Sequence, residues 1–276
     1  IPTWNRADSL AVAIQSTLNQ TYPVLEVLVC DDGSTDHSRS VVNGFADARV
    51  KWISGEASGG PAKPRNRGIG LSQGKWLAFL DSDDSWYPEK LSRQLEYAIK
   101  KNLRAVCTNA DRHVASKATE IFHKPERIAK ANIDDRLPFE KLVNVNYVVC
   151  STALVHRDLV ALAGGFPEAA DLRAVEDYAL WLRVAAYAPF GYLNTPLASY
   201  SDDPLQSIRR DDDTERIQQQ KIRAALGNLL EWNKQTRTLS AEQVSLVRKR
   251  ILTSRTSPLL RLYGRFRRKL DSLLRF

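Results

Sequence analysis

Short apolar runs alternate along this chain with longer stretches in which apolar positions recur every three or four residues. Residues 24–30, 49–53, 76–80 and 105–108 are brief, bulky and hydrophobic, as strands buried on both faces are. Between them Leu10, Ile14, Thr17 and Leu18, then Val41 and Val42, then Leu91, Leu95 and Ile99 fall on helical faces. Asp8 or Ser9 is placed to cap the first of these helices. Ile1-Pro2-Thr3 reads as the close of a further strand. Strand and helix in turn predict an α/β fold, a mostly parallel sheet with right-handed crossovers, flanked by helices. Residues 109–145 lose the rhythm and read as a meander. Strand character returns at 148–156 and 190–200, on either side of a helix that starts near Val175. Residues 212–233 and 240–253 read as helices, polar on one side and accessory to the sheet.

The polar positions change this picture where they cluster. Residues 76–80 run directly into Asp81, Asp83 and Asp84, and residues 24–30 run into Asp31 and Asp32. Such carboxylates must sit where the strand emerges, at the carboxyl edge that binds ligands in open α/β sheets. Three of them together resist ionisation unless a cation compensates. Mg²⁺ or Mn²⁺ fits, since magnesium takes one or two carboxylates and completes its shell with phosphates and water. Asp and Ser are also ordinary turn formers and helix caps, so the cluster alone decides nothing. The glycine- and proline-rich stretch 54–70 carries Lys63, Arg65 and Arg67, which suits a diphosphate or a plain surface loop. Glu176 and Asp177 open a helix, where acids also serve simply to complement its dipole.

Composition narrows the class. Apolar content of 43% and charged content of 26% over 276 residues are those of an ordinary globular chain. No apolar run approaches a bilayer span and no signal peptide is visible. Cys30, Cys107 and Cys150 each lie in an apolar run and read as buried thiols of a reducing compartment. The net charge of +8 is uneven. Residues 248–276 hold ten Lys/Arg and one Asp, so residues 1–247, with thirty basic and thirty-one acidic side chains, are near neutral. In 258–276 leucines and aromatics recur at helical spacing among arginines, which suits an anionic membrane surface or a docked helix. No nucleic-acid-binding motif accompanies this charge, and nucleic acid is not an expected partner.

Five blocks in order resemble a family 2 glycosyltransferase of the GT-A fold: IPTWNR (1–6), the run from NQTYP to CDDGSTD (19–36), AKPRNRGI (62–69), GKWLAFLDSDDSWYPEKL (74–91) and GGFPEAADLRAVEDYALWLR (164–183). The resemblance implies a nucleotide-diphosphate sugar donor, a UDP-sugar first among them, a divalent metal, and inversion at the anomeric carbon. It implies Thr3 and Asp32 at the base, Arg65 near the nucleotide, and Asp177 as general base. Asp81, Asp83 and Asp84 form the D-x-D region that holds the ribose and the divalent metal, with Asp81 and Asp83 on the nucleotide sugar and Asp83 and Asp84 on the metal, as the resemblance implies. The domain reading that follows is a glycosyltransferase domain over 1–205 and a helical extension over 206–276 with the basic tail. Within the domain, 1–108 binds the nucleotide sugar and 109–205 binds the acceptor. The Q-x-x-R-W signature of processive synthases is absent, the nearest string ending Arg209-Arg210, so a non-processive enzyme is expected. Its acceptor would be a saccharide or lipid-linked saccharide, reached from the cytoplasm or the cytoplasmic face of a membrane. Two rivals share these features: a sugar-phosphate nucleotidyltransferase, and a non-catalytic domain binding nucleotide or membrane.

Overall fold

The computed structural model describes residues 1–113, 120–122, 136–201 and 215–254. The amphipathic stretch 258–276 lies outside the described residues, as does much of the expected meander.

The first half is built as its pattern predicts. Strands β1 (Pro2–Thr3), β2 (Val27–Asp31) and β3 (Val50–Ile53) pair in parallel in the order β1-β2-β3. Helices α1 (Ala7–Leu18), α2 (Ser38–Asn43) and α3 (Ala62–Leu71) follow the three strands in turn. Leu10 and Ile14 of α1 close over Val27, Val29 and Val42 in one cluster. The helix begins at Ala7, ahead of the expected caps, because Asp36 accepts the Ala7 N–H from across the chain at 3.0 Å. The acceptor there comes from a distant loop, and helix-start signals in sequence are local.

The second sheet departs from the parallel pattern. It contains β4 (Trp76–Ala78), β5 (Ser85–Trp86), β6 (Ala105–His113), β7 (Glu120–Phe122), β8 (Arg136–Leu137), β9 (Leu154–His156) and β10 (Phe190–Ser201). Their order is β4-β9-β6-β10-β5, with β7 on β6 and β8 on β10. Among the described residues only β6 and β10 run parallel here; β9 lies antiparallel between β4 and β6. Parallel pairing therefore holds in the first sheet and at β6–β10, and the remaining pairs are antiparallel. Apolar period reports burial and not strand direction, so the sequence carried no mark of this reversal. The expected strand 148–156 is a turn of 3₁₀ helix, Cys150–Thr152, followed by β9.

Helix α4 (Lys90–Lys101) buries Leu91 and packs Leu95 beside it as the spacing predicts, but turns Ile99 outward. Lys90, Leu91, Gln94 and Ala98 are its buried residues, and Ile99 is 79% exposed. The three cysteines are free and buried, as expected. The main core centres on Trp181, fully buried, with the rings of Phe79, Phe166 and Phe190 at 5.7, 5.9 and 5.7 Å. Trp181 belongs to the helix Glu176–Tyr187. The late helices Glu215–Thr236 and Ala241–Thr253 are not accessory: Leu226, Leu229, Trp232 and Val247 belong to this same core. Arg183 ties them on, donating to Ala163 O at 3.1 Å and to Asn228 Oδ1 at 2.6 Å. Among the described residues no helix is long and apolar enough to cross a membrane.

Candidate active site

The acidic stretch after β4 is a turn whose side chains have different surroundings. Asp84 donates its N–H to Asp81 O at 3.1 Å, closing the turn. Its carboxylate is 4% exposed and fully engaged, accepting from Ser151 Oγ and, at 2.8 Å, from the Ser201 N–H. Ser151 Oγ also accepts the Asp81 N–H at 3.0 Å, so one hydroxyl from the turn before β9 fixes both ends of the acidic segment. Burial, then Asp81 and Asp83, push the Asp84 carboxyl well above the usual carboxylate range. Asp83 faces the open cleft, 3.5 Å from Arg6 Nη2, and its carboxyl is raised by burial and by the neighbouring Asp81 charge.

Three consecutive residues of α3 hold three parts of the site together. Successive helical residues project about 100° apart, so each can reach a different wall. Arg65, 6% exposed, donates Nη2 to Asp81 Oδ1 at 2.5 Å and Nη1 to Glu176 Oε1 at 2.7 Å, with its guanidinium 5.0 Å from the Phe166 ring centre. Asn66 accepts the Phe166 N–H at 2.8 Å and donates to Phe166 O and Glu168, strapping the 164–168 turn. Gly165 sits there at φ +71°, and a Cβ on it would stand 2.8 Å from Asn66 Oδ1, so this position requires glycine. Arg67 donates to Asp31 O at 2.8 Å, joining α3 to the end of β2.

On the opposite wall, Asp32 is 5% exposed and holds the 58–59 backbone, accepting from Ser58 N–H at 2.9 Å, Ser58 Oγ at 2.6 Å and Gly59 N–H at 3.0 Å. Asp31 caps the turn to Gly33 and Ser34. Thr3 is 3% exposed, and its hydroxyl has no hydrogen-bond partner among the described residues although it borders the cleft. Trp4 beside it is 59% exposed. Asp177 lies one residue beyond the buried, Arg65-bound Glu176, half-buried at the start of its helix, and accepts its neighbour Tyr178 N–H at 2.7 Å. Ala174, at φ +69°, turns the chain into this helix.

These groups border one cleft of about 760 Å³. Thr3, Asp32, Arg65, Asp81, Asp83 and Asp177 all line it, and Asp84 does not. Of the two carboxylates marked for a metal, Asp83 has the open position, and Asp84 is committed to Ser151 and Ser201. No group of three or more acidic, histidine or cysteine side chains is arranged to hold a metal among the described residues. A divalent ion nonetheless fits at Asp83. Asp83 borders the cleft beside Asp81, and Mg²⁺ or Mn²⁺ needs only one or two protein carboxylates, taking its remaining ligands from substrate phosphate and water. Arg6, Asn66 and Ser151 were not singled out in the sequence. Arg6 and Asn66 lie inside the resembling blocks; Ser151 acts across 67 positions on Asp84, and nothing local marks it.

The model of "Glycosyl transferase family 2" matches residues 1–161. The Escherichia coli protein WfgD, described as a UDP-Glc:alpha-D-GlcNAc-diphosphoundecaprenol beta-1,3-glucosyltransferase, is 32% identical over 184 residues, 67% of each chain. Among solved structures, S. aureus TarS 1-349 in complex with UDP superposes with a TM-score of 0.60 at 17% identity, covering 92% of this chain and 87% of that one. The Pyrobaculum calidifontis mannosyltransferase PcManGT, in complex with GDP-Man and Mn²⁺, gives 0.58 at 16% identity, covering 95% and 76%. At these identities the structures speak for the fold, which is that of GT-A glycosyltransferases.

Proposed function

The chain belongs to glycosyltransferase family 2, and on that premise we propose that it moves a hexose from a UDP-sugar to a hydroxyl of a lipid-linked saccharide, one sugar at a time and with inversion. The observation that carries this reading is the Arg65 bridge between Asp81 and Glu176. It locks the donor-side carboxylate turn and the start of the Asp177 helix onto one cleft wall, so that donor and base occupy fixed positions relative to each other.

Thr3, with its unpartnered hydroxyl, and Asp32, which orders the 58–59 backbone, form the nucleoside wall. Asp81 lies at the ribose. Asp83 is the protein's ligand to Mg²⁺ or Mn²⁺, and Asp84 holds the turn through Ser151 and Ser201. When bound, the ion neutralises the diphosphate and makes it a competent leaving group. Asp177 accepts the proton of the acceptor hydroxyl as that oxygen attacks the anomeric carbon; the bond to the diphosphate oxygen breaks and nucleoside diphosphate departs. Both adjacent acids border the cleft, and Asp177 suits this role because Glu176 is buried and paired with Arg65, whereas Asp177 is half-buried. Residues 1–108 supply the donor side, 109–205 the acceptor side, and 206–276 the extension. WfgD, by its description, uses UDP-Glc and a diphosphoundecaprenol-linked GlcNAc, which supports a polyprenyl-diphosphate saccharide as acceptor. Such an acceptor places the enzyme on the cytoplasmic face of a membrane, with 258–276 as its basic contact. The Asp177→Asn variant is expected to keep UDP-sugar binding and to lose about 10²–10⁴ in transfer rate, the range of a positioned base. Turnover near that of the wild type removes Asp177 from the role.

A further inference from the structure

Seven carboxylates and three guanidiniums, Arg6, Arg65 and Arg173, line the cleft. A diphosphate brings further negative charge into this acid-rich space, and a single ion at Asp83 does not offset all of it. Two of the guanidiniums are committed. Arg65 is buried against Asp81 and Glu176, and Arg6 stands 3.5 Å from Asp83. Arg173 is different: it is exposed, and its guanidinium makes no hydrogen bond or ion pair to any described residue.

Its backbone is nonetheless fixed. Arg173 follows the 3₁₀ turn Ala170–Leu172, donates its N–H to Ala170 O at 3.3 Å, and adjoins Leu172, which is 1% exposed. On its other side the chain passes through Ala174 at φ +69°, and Val175 N–H bonds back to Leu172 O at 2.9 Å. The stem leans toward the glycine loop of the nucleotide wall, where a Cβ built on Gly60 would stand 3.9 Å from Arg173 Cγ. A pinned backbone with an unpaired fork-shaped cation, at the seam of the two cleft walls and four residues before Asp177, has the character of an anion-binding position. Arginine recognises phosphate by two parallel N–H bonds, and no described residue engages those donors.

We propose that Arg173 binds a diphosphate in the cleft. The inference rests on the reaction proposed above, in which a diphosphate occurs twice: in the UDP-sugar and in the link between acceptor saccharide and lipid. Both present the same chemistry to a guanidinium, and the two sources separate by experiment. The wild-type chain, Arg173→Ala and Arg173→Lys are compared by UDP binding with Mn²⁺ present, and by the kcat/KM ratio for a GlcNAc-diphospholipid over neutral octyl α-GlcNAc. Thermal denaturation of each variant establishes that it is folded, as an exposed side chain without partners predicts. A UDP affinity about tenfold or more weaker in Arg173→Ala places the donor diphosphate on Arg173. Intact UDP affinity with the acceptor ratio reduced about tenfold or more places the acceptor diphosphate there. Arg173→Lys, which keeps the charge and loses the fork, falls between in either case. If neither UDP affinity nor the acceptor ratio moves, the proposal is overturned. Absence of transfer by the wild-type chain to both acceptors defeats the proposed reaction instead, and UDP binding alone then decides for or against Arg173.

Discussion

Asp83 and Asp84 are adjacent in sequence and opposite in circumstance. Asp84 is enclosed, with Ser151 and Ser201 on its two oxygens, whereas Asp83 borders the cleft with Arg6 3.5 Å away. Asp83→Asn is therefore expected to weaken metal activation of transfer while leaving the melting temperature near that of the wild type. Asp84→Asn is expected to lower stability by about 1–3 kcal/mol, because a buried hydrogen-bonded group loses its match. Calorimetry on both variants, with a Mn²⁺ titration of activity, separates the roles; equal metal effects with equal stability would contradict the assignment. Lys90 is a second residue whose surroundings set its behaviour. Its ammonium is fully buried, donates to Gln94 Oε1 at 2.8 Å, and stands 4.2 Å over the Trp86 ring. Burial lowers its pKa from 10.5 to about 7. The unfolded chain thus binds this proton more tightly, and between about pH 7 and 10.5 the Lys90 contribution to stability rises with pH. Against the wild type, Lys90→Met should remove that rise, read as the difference in denaturant midpoint at pH 7 and pH 10. An unchanged difference would mean that Lys90 is not deprotonated in the folded state.

At the scale of elements, α3 and the helix Glu176–Tyr187 do most to shape the cleft. Helix α3 spends three successive side chains on three walls, and Glu176–Tyr187 is clamped between Arg65 in front and the late helices behind. Trp232, 9% exposed, fills the space between Tyr187 and Arg183, with its ring 5.9 Å from Tyr187. Trp232→Ala should cost about 3–5 kcal/mol, the usual range for a buried tryptophan, and should lower kcat more than it raises KM for the donor. A variant with wild-type stability would show that the extension is dispensable to the core. The sequence made these late helices visible by period but not their burial, since Leu226, Leu229 and Val247 are spaced as on any amphipathic helix. Strands up to residue 53 were readable because a parallel βα repeat has a period of its own. The antiparallel insertion of β9 was not, because its partners β4 and β6 are remote in the chain. Of the site, the carboxylates Asp32, Asp81, Asp83 and Asp177 were legible as clusters at strand ends and a helix start. Ser151 and the commitment of Asp84 depend on contacts across the fold, which no local pattern encodes.

Over the whole molecule one cleft is bordered by Thr3 and Asp32 at the ends of the first sheet's strands, by the acidic turn after β4 and by the start of the helix Glu176–Tyr187. Family membership and the GT-A fold make the chain a glycosyltransferase, and the reaction proposed for it is sugar transfer from a nucleotide sugar assisted by a divalent ion. The most direct test is product formation from UDP-Glc and a GlcNAc-diphospholipid, followed by mass, with Mn²⁺ or Mg²⁺ and then with chelator. The account predicts an acceptor heavier by one hexose, UDP released in equal amount, and loss of both on chelation. No hexose gain with UDP-Glc or any other UDP-sugar, together with pyrophosphate released from a nucleoside triphosphate and a sugar phosphate, would contradict it and mark a nucleotidyltransferase.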